Sequence, residues 1–305
     1  MNEQANERQA AVRGPEVLPF LAQIYPQLYL APGGESGEAY KKVVLYGEAA
    51  PRHDLSHFTG DGRDSCVIER TPVGEVRVVT LHQRRDFETF LQIMAFRCTE
   101  KQIPATQGAS ILDGVINWTR IRAHRDSFLR AGGTEEAWPE EFQRFTADKN
   151  NFKDALIVLS AGPYSAIGAE AVGLTEEDWL ARSHEIRRAH ECTHLICRRR
   201  FPELIDPVWD EIVADAVGLY AAFGRYDTAL AALFLGVGPE GYSGGRLENY
   251  VPAETEGRQE ALDRSAKKVY SVIHSLAERI ESFGATEPYD LAIRLEEAIS
   301  CWKEL

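Results

Sequence analysis

The sequence predicts an α+β protein, with a mixed α/β N-terminal half that contains a small sheet and an all-helical C-terminal half. Two β-rich runs, 66–71 and 75–81, flank Pro72-Val73-Gly74, which is typical of a hairpin. Residues 154–160 form a continuous apolar run of strand length, which indicates a buried inner strand. From residue 175 onward, apolar residues recur at helical spacing instead.

This pattern divides the chain into three parts. We expect residues 1–14 to be a disordered tail, residues 15–174 to form the mixed α/β part, and residues 175–305 to form the helical part. The last two parts are expected to make one continuous unit.

Helices and one loop complete the N-terminal part. Residues 102–118 mix small and apolar side chains, so we expect a loop that leads into a short helix. The helices expected before this loop and after it are 15–31 (broken near Pro26), 86–98 and 119–130. The helices expected in the C-terminal part are 175–200, 206–224, 227–235, 256–283 and 287–304.

Charge and composition exclude several functions. The net charge of −13 argues against nucleic acid and against a polybasic membrane patch. No apolar run approaches the roughly 20 residues that span a bilayer, and the N-terminus lacks an apolar signal core, so we expect a cytoplasmic protein. An odd number of cysteines without C-x-x-C spacing predicts buried thiols rather than disulfides. These cysteines are Cys66, Cys98, Cys192, Cys197 and Cys301.

A possible metal site lies on the helix expected over 175–200. His190, Glu191 and His194 have the spacing H-E-x-x-H. Both histidines fall on the inward apolar stripe of that helix, because a helix repeats about every 3.6 residues. This gives two ligands for zinc, with a carboxylate one position along to handle a proton.

The next helix supplies two acids. Asp206 and Pro207 mark its start, and Glu211 and Asp215 lie one turn apart on a helix that is expected to be buried all round. Two buried like charges need a compensating cation. A zinc ion bound by Glu211 supplies it, with Asp215 accepting a hydrogen bond from a ligand histidine.

H-E-x-x-H followed by E-x-x-x-D on the next helix resembles the gluzincins, the thermolysin-like zinc metallopeptidases. The resemblance implies one zinc ion held by His190, His194 and Glu211, with Glu191 as the general base and Asp215 behind a ligand histidine. It also implies a zincin-like fold with the active-site helix at the junction of the two halves.

The resemblance is confined to about residues 190–215. Sixteen residues, 195–210, separate the second histidine from Glu211, which is shorter than in thermolysin itself. A helix–turn–helix still fits between the two ligands over this length. The difference therefore affects the assignment to a subfamily more than the prediction of the metal site.

The sequence thus predicts a zinc-dependent metallopeptidase that acts on a peptide or protein substrate. Two alternatives remain: a zinc hydrolase or deacylase of a non-peptide amide, and a non-catalytic binding protein stabilised by zinc. Glu191 favours catalysis, although Arg187 or Arg188 could instead pair with it on the helix surface.

Peptide hydrolysis also needs a group that stabilises the oxyanion. The Gly-rich loop 236–252 follows the metal helices, so we favour Tyr242 or Tyr250. Other side chains of suitable chemistry are Tyr220, Tyr226, His124 and Arg246.

Overall fold

The computed structural model describes residues 11–33, 36–204 and 206–299. Within them the chain divides into two compact units. The first contains the residues up to Arg70 and Glu75–Ala161, and the second contains Thr71–Gly74 and the residues from Gly162 onward. The second unit thus begins before residue 175, where the helical part was expected to start. Both strands and helices are present, which confirms the α+β class.

One five-stranded mixed sheet has the order β1-β2-β3-β5-β4. These strands are β1 Ala11–Arg13, β2 Ser65–Thr71, β3 Gly74–Leu81, β4 Ala109–Ile116 and β5 Lys153–Ser160. The β3–β5 pair is parallel, whereas the β1–β2 and β4–β5 pairs are antiparallel. The β5 strand lies inside the sheet and is buried from Ala155 to Ser160, as its unbroken apolar pattern predicted.

In the described part of the first unit, five α-helices accompany this sheet. They are α1 Val17–Ile24, α2 Ser36–Leu45, α3 Arg84–Met94, α4 Trp118–Arg130 and α5 Trp138–Thr146. The first of them is followed by a 3-10 turn that begins at Pro26, where a break was expected. Apolar side chains of α1 and α3 and of strands β3 and β5 form the core of this unit.

Two expectations for the first unit were wrong. Residues 109–116 form strand β4 rather than a loop and short helix. The strand was not predicted because Asp113 and Gly114 interrupt its apolar alternation at a bulge. Part of the tail expected to be disordered is also ordered, since β1 pairs with β2 through Val12 opposite Cys66. Residues 1–10 lie outside the described part of the chain.

The C-terminal half was expected to be all-helical, but the second unit contains a short two-stranded sheet besides its helices. Its helices are α6 Ala169–Val172, α7 Glu176–Arg200, α8 Pro207–Phe223, α9 Thr228–Leu235, α10 Arg258–Phe283 and α11 Pro288–Ile299. The short strands, β6 Val237–Gly238 and β7 Gly241–Tyr242, lie in the loop expected over 236–252. The end expected for the last helix lies beyond the described residues.

The two central helices begin where the sequence predicted. The Thr175 side chain accepts a hydrogen bond from Asp178 N at the start of α7, and Asp206 accepts from Val208 N and Trp209 N at the start of α8. Helix α8 is buried continuously from Ile212 to Leu219, as expected. These caps fix where both helices begin, and therefore which of their side chains face each other.

A glycine allows α7 and α8 to approach closely. A Cβ atom on Gly218 of α8 would lie 2.8 Å from the carbonyl oxygen of Ile186 on α7. Ile186 is fully buried and lies one helical turn before His190, so this contact sets the spacing of the helices next to the motif.

Two whole-chain expectations can be compared with the structure. All four cysteines in the described ranges are free and buried, as predicted, and Cys301 lies outside these ranges. Among the described helices, none has both the length and the apolar character needed to cross a bilayer.

Candidate metal centre

Three side chains from α7 and α8 converge at one point within the second unit. The His190 Nε2 and His194 Nε2 atoms are 2.9 Å apart. Glu211 Oε1 lies 3.3 Å from His194 Nε2, and Glu211 Oε2 lies 3.6 Å from His190 Nε2. One ligand atom from each side chain lies within 4.8 Å of the others, so this group could hold a metal ion.

The spacing of the three ligand atoms fits a small tetrahedral cation. Ligands about 2.05 Å from a tetrahedral ion lie about 3.3 Å from each other. The two Nε2 atoms are 2.9 Å apart, and each lies 3.3 or 3.6 Å from a different oxygen of the Glu211 carboxylate, so the observed separations lie on either side of that value.

Each histidine has a carboxylate behind it. His190 Nδ1 lies 3.0 Å from Asp215 Oδ1, and His194 Nδ1 lies 2.7 Å from Asp210 Oδ2. An ionised carboxylate only accepts hydrogen bonds, so each Nδ1 carries a hydrogen, and a neutral imidazole then has a lone pair on Nε2 that is free to bind a metal ion. With both imidazoles neutral, two lone pairs and the Glu211 carboxylate face one another in a buried place, which is unfavourable unless a proton or a metal ion lies between them.

The charge around the ligands also calls for a cation. Glu211, Asp215 and Asp210 carry three negative charges, and Arg246 is the guanidinium in contact with two of them. With both imidazoles neutral, as metal binding requires, this group has two negative charges in excess, and in the metal-free centre a proton on His194 offsets one of them. A divalent cation brings the formal charge to zero, whereas a monovalent cation does not.

The pKa shifts show how strongly these groups interact. Burial alone would lower the pKa of His194, but in the metal-free centre its hydrogen bonds to Asp210 and Glu211 outweigh burial and raise the pKa to about 10, so a metal ion that binds His194 Nε2 displaces a proton. Burial alone would raise the pKa of Glu211, yet His190, His194 and Arg246 hold it well below its usual value. The carboxylate of Asp215 is kept ionised in the same way, chiefly by Arg246. Glu211 and Asp215 therefore stay charged in the interior.

Two residues that the motif does not contain complete the centre. Tyr164 is 4% exposed, and its hydroxyl donates to Asp215 Oδ1 at 2.7 Å. Arg246 Nη1 donates to that hydroxyl at 3.1 Å and to Glu211 Oε2 at 3.3 Å, and Arg246 Nη2 donates to Asp215. Burial raises the pKa of Tyr164 well above its usual value, so its hydroxyl remains a neutral donor.

Glu191 lies next to this group and is partly exposed. It follows His190 by one residue, so its side chain leaves α7 in a direction about 100° around the helix axis from that of His190. Within the described ranges its side chain makes no hydrogen bond or ion pair. Arg188 contacts Glu185, and Arg187 donates to Gly162 O and Pro163 O, so the contacts of these arginines do not support a surface pair with Glu191.

The structure separates the two favoured tyrosines. Burial raises the pKa of the Tyr250 hydroxyl, and the nearby Glu211 carboxylate raises it further. The Tyr242 hydroxyl instead donates to Gly245 O at 2.8 Å and accepts from Gly245 N at 2.9 Å. Both hydrogen bonds of the Tyr242 hydroxyl are therefore made within its own loop, which they stabilise.

The other candidates for the oxyanion role also differ in position. Arg246 is at the centre, whereas His124 lies in the first unit with its ring nitrogen 2.8 Å from Glu141. Tyr220 accepts a hydrogen bond from Thr286 N. Asp215 raises the pKa of Tyr226, in addition to the larger effect of burial, which places Tyr226 in the surroundings of the centre.

Sequence reasoning missed Asp210 and Tyr164. Asp210 immediately precedes Glu211 and could have been found as a second acid at the start of α8. No sequence signal marks Tyr164, because it is 26 residues from His190 and 51 from Asp215.

Comparison with known proteins identifies the family but no named relative. No curated protein and no solved structure matches the chain. A family described as "Family of unknown function (DUF7005)" matches residues 11–299, nearly the whole chain. The chain therefore belongs to the DUF7005 family.

Proposed function

We propose that this protein is a zinc-dependent metallopeptidase of the gluzincin type. The observation that carries the proposal is the pair of carboxylate–histidine contacts, Asp215 to His190 and Asp210 to His194, behind two Nε2 atoms that face Glu211. Two histidines and one glutamate form a ligand set of catalytic zinc sites, which leave a fourth position for water. A carboxylate that accepts a hydrogen bond from the other ring nitrogen of a ligand histidine, and so orients the ring, is also typical of such sites.

The residues present would divide the chemistry between them. His190, His194 and Glu211 would hold the ion, which when bound supplies a Lewis acid that lowers the pKa of water to about 7 and polarises a substrate carbonyl. Glu191 would accept the proton of the attacking water and return it to the leaving amine. Tyr250, whose hydroxyl lies near Glu211, is our candidate for hydrogen bonding to the carbonyl oxygen.

The surroundings of Glu191 favour catalysis over a purely structural site. A structural zinc site is closed by four protein ligands and has no use for a base. Three side chains that could hold a metal ion are grouped here, and the adjacent carboxylate is partly exposed rather than engaged in an ion pair. A partly exposed carboxylate beside three ligands is what hydrolysis requires.

The proposal is tested with zinc-loaded protein and a library of quenched fluorescent peptides. We expect cleavage by the wild type and loss of at least about 1,000-fold in kcat for Glu191→Gln, since general base catalysis and the proton transfer to the amine both depend on that carboxylate. Zinc content measured in parallel should be the same for both proteins, because Glu191 is not a ligand.

A matched control is available on the same helix. Glu185→Gln makes the same chemical change six residues earlier, at a side chain paired with Arg188. It should leave turnover unchanged. Equal hydrolysis by the wild type and Glu191→Gln would remove Glu191 from the mechanism. Zinc binding without cleavage of any peptide would instead support the hydrolase of a non-peptide amide or the non-catalytic alternative.

A further inference from the structure

A short segment ahead of α7 brings Tyr164 to the metal centre, and we call residues 162–168 the strap. Three side chains of α7 hold it. Arg187 Nη2 donates to Gly162 O at 3.0 Å and to Pro163 O at 3.1 Å. Ser183 Oγ accepts from Tyr164 N at 2.9 Å, and Trp179 Nε1 donates to Ile167 O at 2.7 Å.

These three side chains follow one another at intervals of four residues, so they lie on one face of α7. His190 comes three residues after the last of them and therefore continues the same face. The helix that carries the ligand histidines thus also fixes the position of the strap.

The backbone of the strap is strained at two consecutive residues. Ser165 has a φ of 53° and Ala166 a φ of 57°, in the left-handed region that side chains with a Cβ rarely adopt. Strained backbone of this kind persists where the surrounding contacts impose it, and it is concentrated at functional sites. The strain follows directly after Tyr164, at the point where the chain turns away from the centre.

The Tyr164 side chain is held on several sides. Its ring makes an edge contact with Phe234 at 4.9 Å, and the guanidinium carbon of Arg246 lies 5.0 Å from the ring centre. Its hydroxyl lies 2.7 Å from Asp215 Oδ1 and 2.9 Å from His190 Nδ1. The hydroxyl is therefore in contact with both members of the carboxylate–histidine pair.

We propose that Tyr164 is a positioning residue of the metal centre. By donating to Asp215 Oδ1, its hydroxyl fixes the carboxylate that keeps the hydrogen on His190 Nδ1, and so directs the lone pair of His190 Nε2 toward the ion. The strap contributes to metal affinity only through this hydroxyl. This inference rests on the metal-binding part of the proposed function and does not depend on peptide hydrolysis.

The test measures metal affinity with a competing chromophoric chelator, and the visible absorption of the cobalt(II)-substituted protein. Tyr164→Phe removes one oxygen atom and should weaken zinc binding about tenfold, within the range typical of residues that orient ligands. The cobalt absorption should shift, because the ligand field of His190 changes. Tyr220→Phe removes a hydroxyl bonded to Thr286 N and should leave both readouts unchanged.

A second variant tests the strap without touching the centre. Ser183→Ala removes the hydrogen bond to Tyr164 N and should weaken zinc binding less than Tyr164→Phe. In the Tyr164→Phe background, Ser183→Ala should have no further effect on affinity, because the only route from the strap to the metal has been removed.

Several outcomes would overturn the inference. Wild-type affinity and an unshifted cobalt spectrum in Tyr164→Phe would do so, as would additive effects of the two substitutions. If Tyr164→Phe fails to fold, unchanged affinity in Ser183→Ala would also overturn it. A wild type that binds zinc but cleaves nothing would contradict only the proposed peptidase activity. A wild type that binds no metal would overturn both.

Discussion

Replacing Gly218 with alanine should disturb the metal centre through the spacing of α7 and α8. The added Cβ would lie 2.8 Å from Ile186 O, and ordinary contact begins at 3.4 Å, so the helices must separate locally by about 0.6 Å. Metal sites tolerate about 0.2 Å in ligand distance. His190 lies one turn beyond Ile186, and Glu211 lies seven residues before Gly218, so the shift reaches ligands on both helices.

The expected magnitude combines two opposite contributions to stability. Overpacking a buried contact costs about 1–3 kcal/mol, and the higher helix propensity of alanine contributes about 1 kcal/mol in the other direction. Urea unfolding of metal-free Gly218→Ala should therefore show a net loss of about 1 kcal/mol in the free energy of unfolding. Zinc affinity should fall by at least about tenfold.

A glycine in open space serves as the control. Gly37 lies near the start of α2, and a Cβ there meets nothing within 4 Å. Gly37→Ala should therefore stabilise the protein by up to about 1 kcal/mol and leave zinc affinity unchanged. If Gly218→Ala showed the same gain and the same unchanged affinity, the reasoning from close helix packing would be refuted.

Three further predictions concern the strap, the buried thiol of Cys98 and the Asp210 carboxylate beside His194. Ala166→Gly should relieve the strain of a positive φ, so the free energy of unfolding should stay unchanged or rise by up to about 1 kcal/mol. Ala171→Gly within α6 should instead lower the free energy of unfolding by about 1 kcal/mol. Equal losses for the two variants in urea unfolding would contradict this. Burial raises the pKa of Cys98 to about 12, so this thiol should resist alkylation in the native protein at pH 8 and react in urea, as peptide mapping by mass spectrometry would show. Because the unfolded thiol ionises near pH 9, its contribution to stability is complete below that pH and is lost as the pH rises toward 12. Asp210→Asn keeps an acceptor for His194 but removes a charge, so zinc affinity should fall about tenfold in a chelator competition, and unchanged affinity would argue against the charge balance of the centre.

The sequence was most informative where local rules determine structure. Thr175 and Asp206 are capping residues whose side chains act within three positions of the chain, so the starts of α7 and α8 were predictable. The same helical periodicity placed His190 and His194 on one buried face. Prediction was less successful for β4, where a bulge between Asp113 and Val115 shifts the register and breaks the alternation.

Contacts between distant segments were beyond sequence reasoning. Tyr164 reaches Asp215 because α7 holds the strap, and nothing in the sequence around Tyr164 indicates that partner. Arg246 was one of six candidates for a single role, and its contacts with Glu211 and Asp215 depend on how the loop 236–252 packs. Tyr242 was favoured for belonging to that loop, although its hydroxyl is used within the loop itself.

The most direct test of the proposed zinc centre is the metal content of the purified protein after equilibration with zinc and removal of unbound metal. Elemental analysis should find one zinc ion per wild-type chain and none in a variant with both His190→Ala and His194→Ala. A wild type without zinc, or a double variant that retains one zinc ion per chain, would contradict the claim that these residues form a metal centre.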